Sequence, residues 1–181
     1  MPLSEPAERE PSHVRRIECR GFRRRDGLWD LEAHLVDTKP VETAHAWSGR
    51  LPADEPIHDM WLRLTIDDSM KVIDVEGVID RSPYPPCQHA AASLAAIKGH
   101  TIAPGWTMLV KRLLGGVKSC THLSELLLPL ATVAYQTLGM GRRAREASAS
   151  QTRPAKIDSC YAYSSQREVV ARFWPEFYEG P

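Results

Sequence analysis

The sequence has little that marks a familiar chemistry. No stretch approaches the roughly 18 consecutive apolar residues that a membrane-spanning helix needs, so none is expected. Neither sign of charge is in excess, with 23 Lys and Arg against 23 Asp and Glu. Without a global positive field, a nucleic-acid binder driven by phosphate neutralisation is not expected. Cysteine is sparse: Cys19, Cys87, Cys120 and Cys160 are far apart and include no CxxC pair. That argues against a disulfide framework and leaves separate thiols free to converge in space. GxGxxG, P-loop, GxSxG and HExxH motifs are all missing, and there is no internal repeat. Gly115-Gly116 with Lys118 lacks the P-loop spacing. The opening residues, Met1 to Pro11, are acidic and Pro-containing with no apolar core, unlike a signal or transit peptide. A cytoplasmic protein with reduced thiols is the resulting expectation.

What is present suits one soluble domain: 181 residues, 43% hydrophobic and 25% charged. Residues 1–13 read as a disordered leader, 14–140 as a single α+β domain, and 141–181 as a C-terminal tail docking on it. Val14 to Phe22 and the alternating run from Leu28 (Trp29, Leu31, Ala33, Leu35) flank Asp26-Gly27 and predict an opening hairpin. Residues 37–56 read as irregular, with an extended stretch around Ala44 to Leu51. Met60, Leu62, Leu64 and Ile66 alternate with Trp61, Arg63 and Thr65. After a turn at Asp67-Asp68-Ser69, Ile73, Val75, Gly77 and Ile79 share a face, which predicts a second hairpin. Ser82 to Pro86 breaks the sheet, because proline cannot donate to it. Helices are expected over 88–98, 105–114 and about 121–138. The last has a buried stripe of Leu123, Leu126, Leu127, Leu130 and Ala134, and a kink at Pro129. Residues 142–154 read as a polar linker, 157–163 as a short strand or docking segment, and 169–177 as a short helix broken at Pro175. Strands first and helices after give an α+β fold, an antiparallel sheet with helices packed on one face.

The soft ligands fall at element ends. His58 and Asp59 precede a central strand, Cys87 follows its hairpin partner, and Cys120 and His122 open the longest helix. Antiparallel topology puts the start of one strand beside the end of the next. A helix across the sheet can add Cys120 and His122 to that edge. Thiolate, imidazole and carboxylate together suit zinc or iron. Helix starts stabilise anions, so lowered thiol pKa values are expected at Cys87 and Cys120. Cys120 and His122 diverge by about 200° in a straight helix, so they share a site only if Cys120 lies at or before the cap. Glu125, three residues on, can ligate or orient His122. The plainer readings stand beside these. A cysteine is often a small buried hydrophobe, which is the reading taken for Cys19 and favoured for Cys160, although Cys160 is also a candidate fourth ligand. His122 could hold a structural hydrogen bond instead.

Two resemblances follow from these residues. Gly105-Trp106-Thr107, Leu113-Leu114-Gly115-Gly116 and Cys120-Thr121-His122-Leu123-Ser124-Glu125-Leu126, with Tyr84-Pro85-Pro86-Cys87 upstream and Asp158-Ser159-Cys160-Tyr161 downstream, resemble a bacterial domain family of unknown function over nearly the whole chain. More distantly, Asp59, Cys87 at an Ala-rich helix and Ser119-Cys120 at a long helix are similar to the U-type iron–sulfur cluster assembly scaffolds. That resemblance implies an Asp and three Cys holding zinc or a nascent cluster on the scaffold fold, here with an extra N-terminal hairpin. Ile57 stands near the place of the first cysteine.

Three functions compete. The first is a metal-binding protein, handling metal or an iron–sulfur cluster or using metal on a small substrate, with Cys87, Cys120, His122, Asp59, His58 and Cys160 as candidate ligands. The second is a metal-free enzyme with Cys120 as nucleophile, assisted by His122 and Glu125. The third is an interaction module that uses two basic clusters (Arg15, Arg16, Arg20, Arg23, Arg24 and Arg25; Arg142, Arg143, Arg145, Arg153 and Lys156) and Phe173-Trp174-Pro175. The identity of a small-molecule or protein partner, and self-association, are left open.

Overall fold

The computed structural model describes residues 3–45, 47, 49–148, 153, 154 and 156–180, with side chains throughout except over 140–148. Four long strands, β1 (Val14–Arg23), β2 (Trp29–Thr38), β5 (His58–Ile66) and β6 (Val72–Arg81), form one antiparallel sheet in the order β1-β2-β5-β6. Between them, β3 (Thr43–His45) pairs with β4 (Gly49–Leu51) as a separate two-stranded ribbon. Both expected hairpins are therefore present, and the irregular stretch contains a small one.

Strand parity decides what each face carries. Leu31, Ala33 and Leu35 of β2 and Met60, Leu62, Leu64 and Ile66 of β5 are buried on one face. They belong to a single cluster with Leu94, Ile97, Trp106, Val110, Leu114, Leu123, Leu126, Leu127, Leu130, Ala134 and Leu138 from the helical half of the chain. The opposite face is mixed: Arg63 donates to Glu32 at 2.8 Å and to Glu76 at 3.0 Å, beside the exposed Trp61 and Val78. The α+β expectation holds.

β6 departs from the sequence reading in one respect. Its register with β5 skips Ile73, which is an unpaired bulge residue and 44% exposed. A bulge adds one residue and reverses parity beyond it, so Val72, not Ile73, joins the buried face with Val75, Gly77 and Ile79.

The segment after β6 is also not the α-helix that its alanines suggest. Pro85–Ile97 is a 3-10 helix of 13 residues. Three residues per turn eclipse positions i and i+3. The less exposed residues follow that period: Cys87, Ala90 and Ser93 on one ridge, Ala91, Leu94 and Ile97 on the next. Leu94 and Ile97 enter the core. Helix α1 (Trp106–Leu114) follows, its buried indole of Trp106 donating to the carbonyl of Leu127 at 3.0 Å. Helix α2 (Thr121–Ser148) is continuous through Pro129 and extends into the stretch read as a linker, of which residues 149–152 lie outside the described residues.

The chain divides into two compact units, Met1–Leu138 and Gly139–Pro181. In the second, α3 (Glu168–Phe173) is followed by a 3-10 turn at Pro175–Phe177. Residues 157–163 hold a 3-10 turn, Tyr161–Tyr163, and no strand. Asp158, at φ 62°, accepts the Ser165 amide at 2.8 Å, and Lys156 lies 4.3 Å above the Trp174 ring. No helix among the described residues is long and apolar enough to cross a membrane.

Candidate metal centre

The inward parity of the strands carries polar residues at one end of the sheet. Asp37 continues the series Leu31, Ala33, Leu35, and His58 precedes Met60 by two. Arg15, Asp37 and His58 are register partners across β1, β2 and β5, so they form one row on the helix-covered face. Asp37 is 1% exposed. Arg15 grips it with two hydrogen bonds, Nε to Oδ1 at 2.7 Å and Nη2 to Oδ2 at 2.8 Å. His58 Nδ1 lies 3.0 Å from Oδ2, and His13 Nε2 lies 3.2 Å from Oδ1.

The start of α2 closes the site. The first helical residue is Thr121, and the carbonyl of Cys120 accepts the amide of Ser124 at 3.0 Å, which makes Cys120 the capping residue. Ser119 is held just before it by a 2.7 Å hydrogen bond from Ser93 of the 3-10 segment. His122, in the first turn, places Nε2 4.0 Å from Asp37 Oδ2 and packs its ring against that of His58, with centroids 3.8 Å apart and a 32° tilt. Its other nitrogen, Nδ1, faces the sulfur of Cys120 at 3.9 Å. Because Cys120 is non-helical, the two side chains meet despite their two-residue spacing.

One ligand atom each from Asp37, His58 and His122 lie within 4.8 Å of one another. Among the described residues this is the one group of three such side chains that close. The electrostatics keep the set basic. Burial opposes ionisation of Asp37, but the hydrogen bonds and charge of Arg15, with the nearby His58 and His13, outweigh it and hold its pKa below the usual carboxylate value. Burial, then the neighbouring His122, lowers His58 against the pull of Asp37. Burial, then Arg15, lowers His122. Both imidazoles are therefore neutral near pH 7, the form with a lone pair to give.

Of the residues singled out from sequence, His58 and His122 come together, with Cys120 beside His122. Asp59 faces the other side of the sheet, as strand parity requires of the residue after His58. There it meets His34 Nε2 at 2.7 Å, and His34 stacks on Trp61. Glu125 binds Arg15 Nη1 at 3.1 Å and makes no bond to His122. Cys87 is on the 3-10 segment and outside the group; Cys160 is exposed in the second unit. Cys19 packs against the core, where burial raises its thiol pKa. Sequence reading missed Asp37 and Arg15. The available signal was a charged residue at the next inward position of an apolar alternation.

A family model described as protein of unknown function (DUF2889) matches residues 13–136. Nothing among curated proteins or solved structures matches the chain.

Proposed function

The chain belongs to that family of unknown function, and from that premise we propose that Asp37, His58 and His122 bind a divalent transition-metal ion, zinc or ferrous iron. The observation that carries this reading is the convergence of three ligand atoms within 4.8 Å, from β2, β5 and α2. Two imidazoles and one carboxylate form a facial set that leaves positions for water or substrate, as in catalytic zinc sites and non-haem iron sites. Ligand atoms around a tetrahedral zinc lie about 3.4 Å apart at bond lengths near 2.1 Å, so small side-chain rotations close the set. Cys120 is a positioning residue here: its sulfur faces Nδ1 of His122, the nitrogen turned away from Asp37, and an outer partner of that kind fixes ring orientation and tautomer. Nitrogen and oxygen donors favour a mononuclear ion over an iron–sulfur cluster, which takes thiolates.

The test is metal and labile-sulfide content of protein purified without chelator or oxygen. About one equivalent of zinc or iron without sulfide is expected in the wild type, and loss of it in His58→Ala and His122→Ala. A wild type that retains no metal and binds added zinc no more tightly than His122→Ala would refute the site. Iron with stoichiometric sulfide would instead restore the cluster reading.

The 3.9 Å approach of Cys120 Sγ to His122 Nδ1 supports a second reading, a thiol nucleophile with an imidazole base. In metal-free protein, Cys120 should then alkylate faster than Cys160, despite the greater exposure of Cys160, and should slow in His122→Ala. Equal slow labelling in both proteins counts against it.

A further inference from the structure

Arg15 places a fixed positive charge on both oxygens of the carboxylate that a cation would need. Its Nε and Nη2 occupy Oδ1 and Oδ2 of Asp37 at 2.7 and 2.8 Å. The same guanidinium already has a second anion within reach, since Nη1 donates to Glu125 Oε2 at 3.1 Å. Asp37 is fully buried, whereas Glu125 is about half exposed and sits three residues beyond His122 on α2. A divalent ion at Asp37 and a guanidinium in a bidentate grip on the same carboxylate repel each other and share its lone pairs.

We propose that Arg15 competes with the cation for Asp37, and that Glu125 is the anchor that takes over the guanidinium when the cation binds. Resting on the metal reading above, this makes the pair Arg15–Glu125 the determinant of how tightly the site holds its ion. Arg15 acts as the placeholder that keeps a buried carboxylate neutralised when no ion is held. Glu125 keeps that charge near the site without leaving it on the ligand. The arrangement requires opposite effects from the two substitutions, which a merely structural salt bridge does not. If Arg15 and Glu125 only stiffened the sheet edge against α2, losing either would weaken the ion's site.

Zinc affinity, measured by competition with a chromophoric chelator, decides between these. Arg15→Gln is expected to tighten zinc binding at least about fivefold, the low end of a typical coupling between two sites, and Glu125→Gln to weaken it. Arg15→Lys keeps the charge but loses the two-pronged grip, so it should fall between wild type and Arg15→Gln. It serves as the deciding variant if Arg15→Gln does not fold. Arg15→Gln should also show a larger rise in melting temperature on zinc addition than the wild type, because the ion replaces the lost counter-charge. Unchanged or weaker zinc binding in the Arg15 variants, with a zinc-binding wild type, overturns the competition while leaving the metal site standing. No zinc binding in the wild type removes the metal reading itself, and this inference with it.

Discussion

Asp37 is a carboxylate buried inside an apolar alternation, and its environment sets how the protein responds to acid. Its folded pKa is depressed, so its contribution is present above the ordinary value near 3.9 and is lost as pH falls through the folded value. The two histidines act in the same direction by another route. Their folded pKa values lie below the ordinary value near 6.5, so between the two values the unfolded chain takes up protons that the folded chain refuses, and stability falls. In the presence of chelator, the melting temperature should be level above about pH 7 and drop from about pH 6.5 downward, with a further drop below about pH 4. Combining His58→Gln with His122→Gln should flatten the first part and leave the second. Calorimetry across pH checks both. Arg15→Gln, which leaves Asp37 buried without its main partner, should cost about 3 kcal/mol, the low end for a broken buried pair, because Arg15 is itself partly exposed; chemical denaturation measures it. At this scale the sequence was half legible. His58, Cys120 and His122 announced themselves by type and by position at element ends. Asp37 and Arg15 were less plain: a strand end and a loop start look alike in sequence, so the inward parity of Asp37 after Leu31, Ala33 and Leu35 is easily passed over, and Arg15 is placed inward only by the register.

The elements were more legible than the site, and the exceptions are local. Apolar alternation exposed β2, β5 and β6 and the stripe on α2, because burial on one face leaves a period that can be counted; β1, mostly exposed, was marked only by Val14, Ile17, Cys19 and Phe22 among arginines ahead of the Asp26-Gly27 turn. The bulge at Ile73 and the 3-10 winding of Pro85–Ile97 leave no such trace. An alanine-rich segment fits either winding, and packing of Leu94 and Ile97 into the core settles it. Close approach between elements makes a further prediction. A Cβ on Gly21 of β1 would fall 1.9 Å from Oγ1 and 2.9 Å from Cβ of Thr137 on α2. A Cβ on Gly77 of β6 would clash with the tip of Leu94, at 2.5 Å, and touch Ala91 and Leu123 at ordinary contact distances of 3.6 and 3.7 Å. A β-branched residue on a helix has little freedom to turn aside, whereas a leucine tip has more. Gly21→Ala should therefore cost about 2–3 kcal/mol, in the range for overpacking, and clearly more than Gly77→Ala. Adding Thr137→Ala should recover part of the loss in the first case; urea unfolding of the three variants is the check.

Across the whole molecule, the family match over residues 13–136 nearly coincides with the compact unit Met1–Leu138. All the groups of the candidate centre, from His13 to Glu125, lie within it. A chain ending at Ser148, which keeps α2 whole but lacks Trp174, is expected to retain the near-ultraviolet circular dichroism of Trp29, Trp61 and Trp106 and the metal content of the full chain. Loss of either would show that the second unit is needed for the first. The row Arg15–Asp37–His58 also has a consequence in time. These three residues come together as soon as the strands pair, whereas His122 arrives only when α2 settles on the sheet. A refolding chain thus brings two of the proposed ligands together early and the third late. Ion capture should lag strand formation and coincide with docking of the helix, so zinc uptake followed by stopped flow would time the final step of folding.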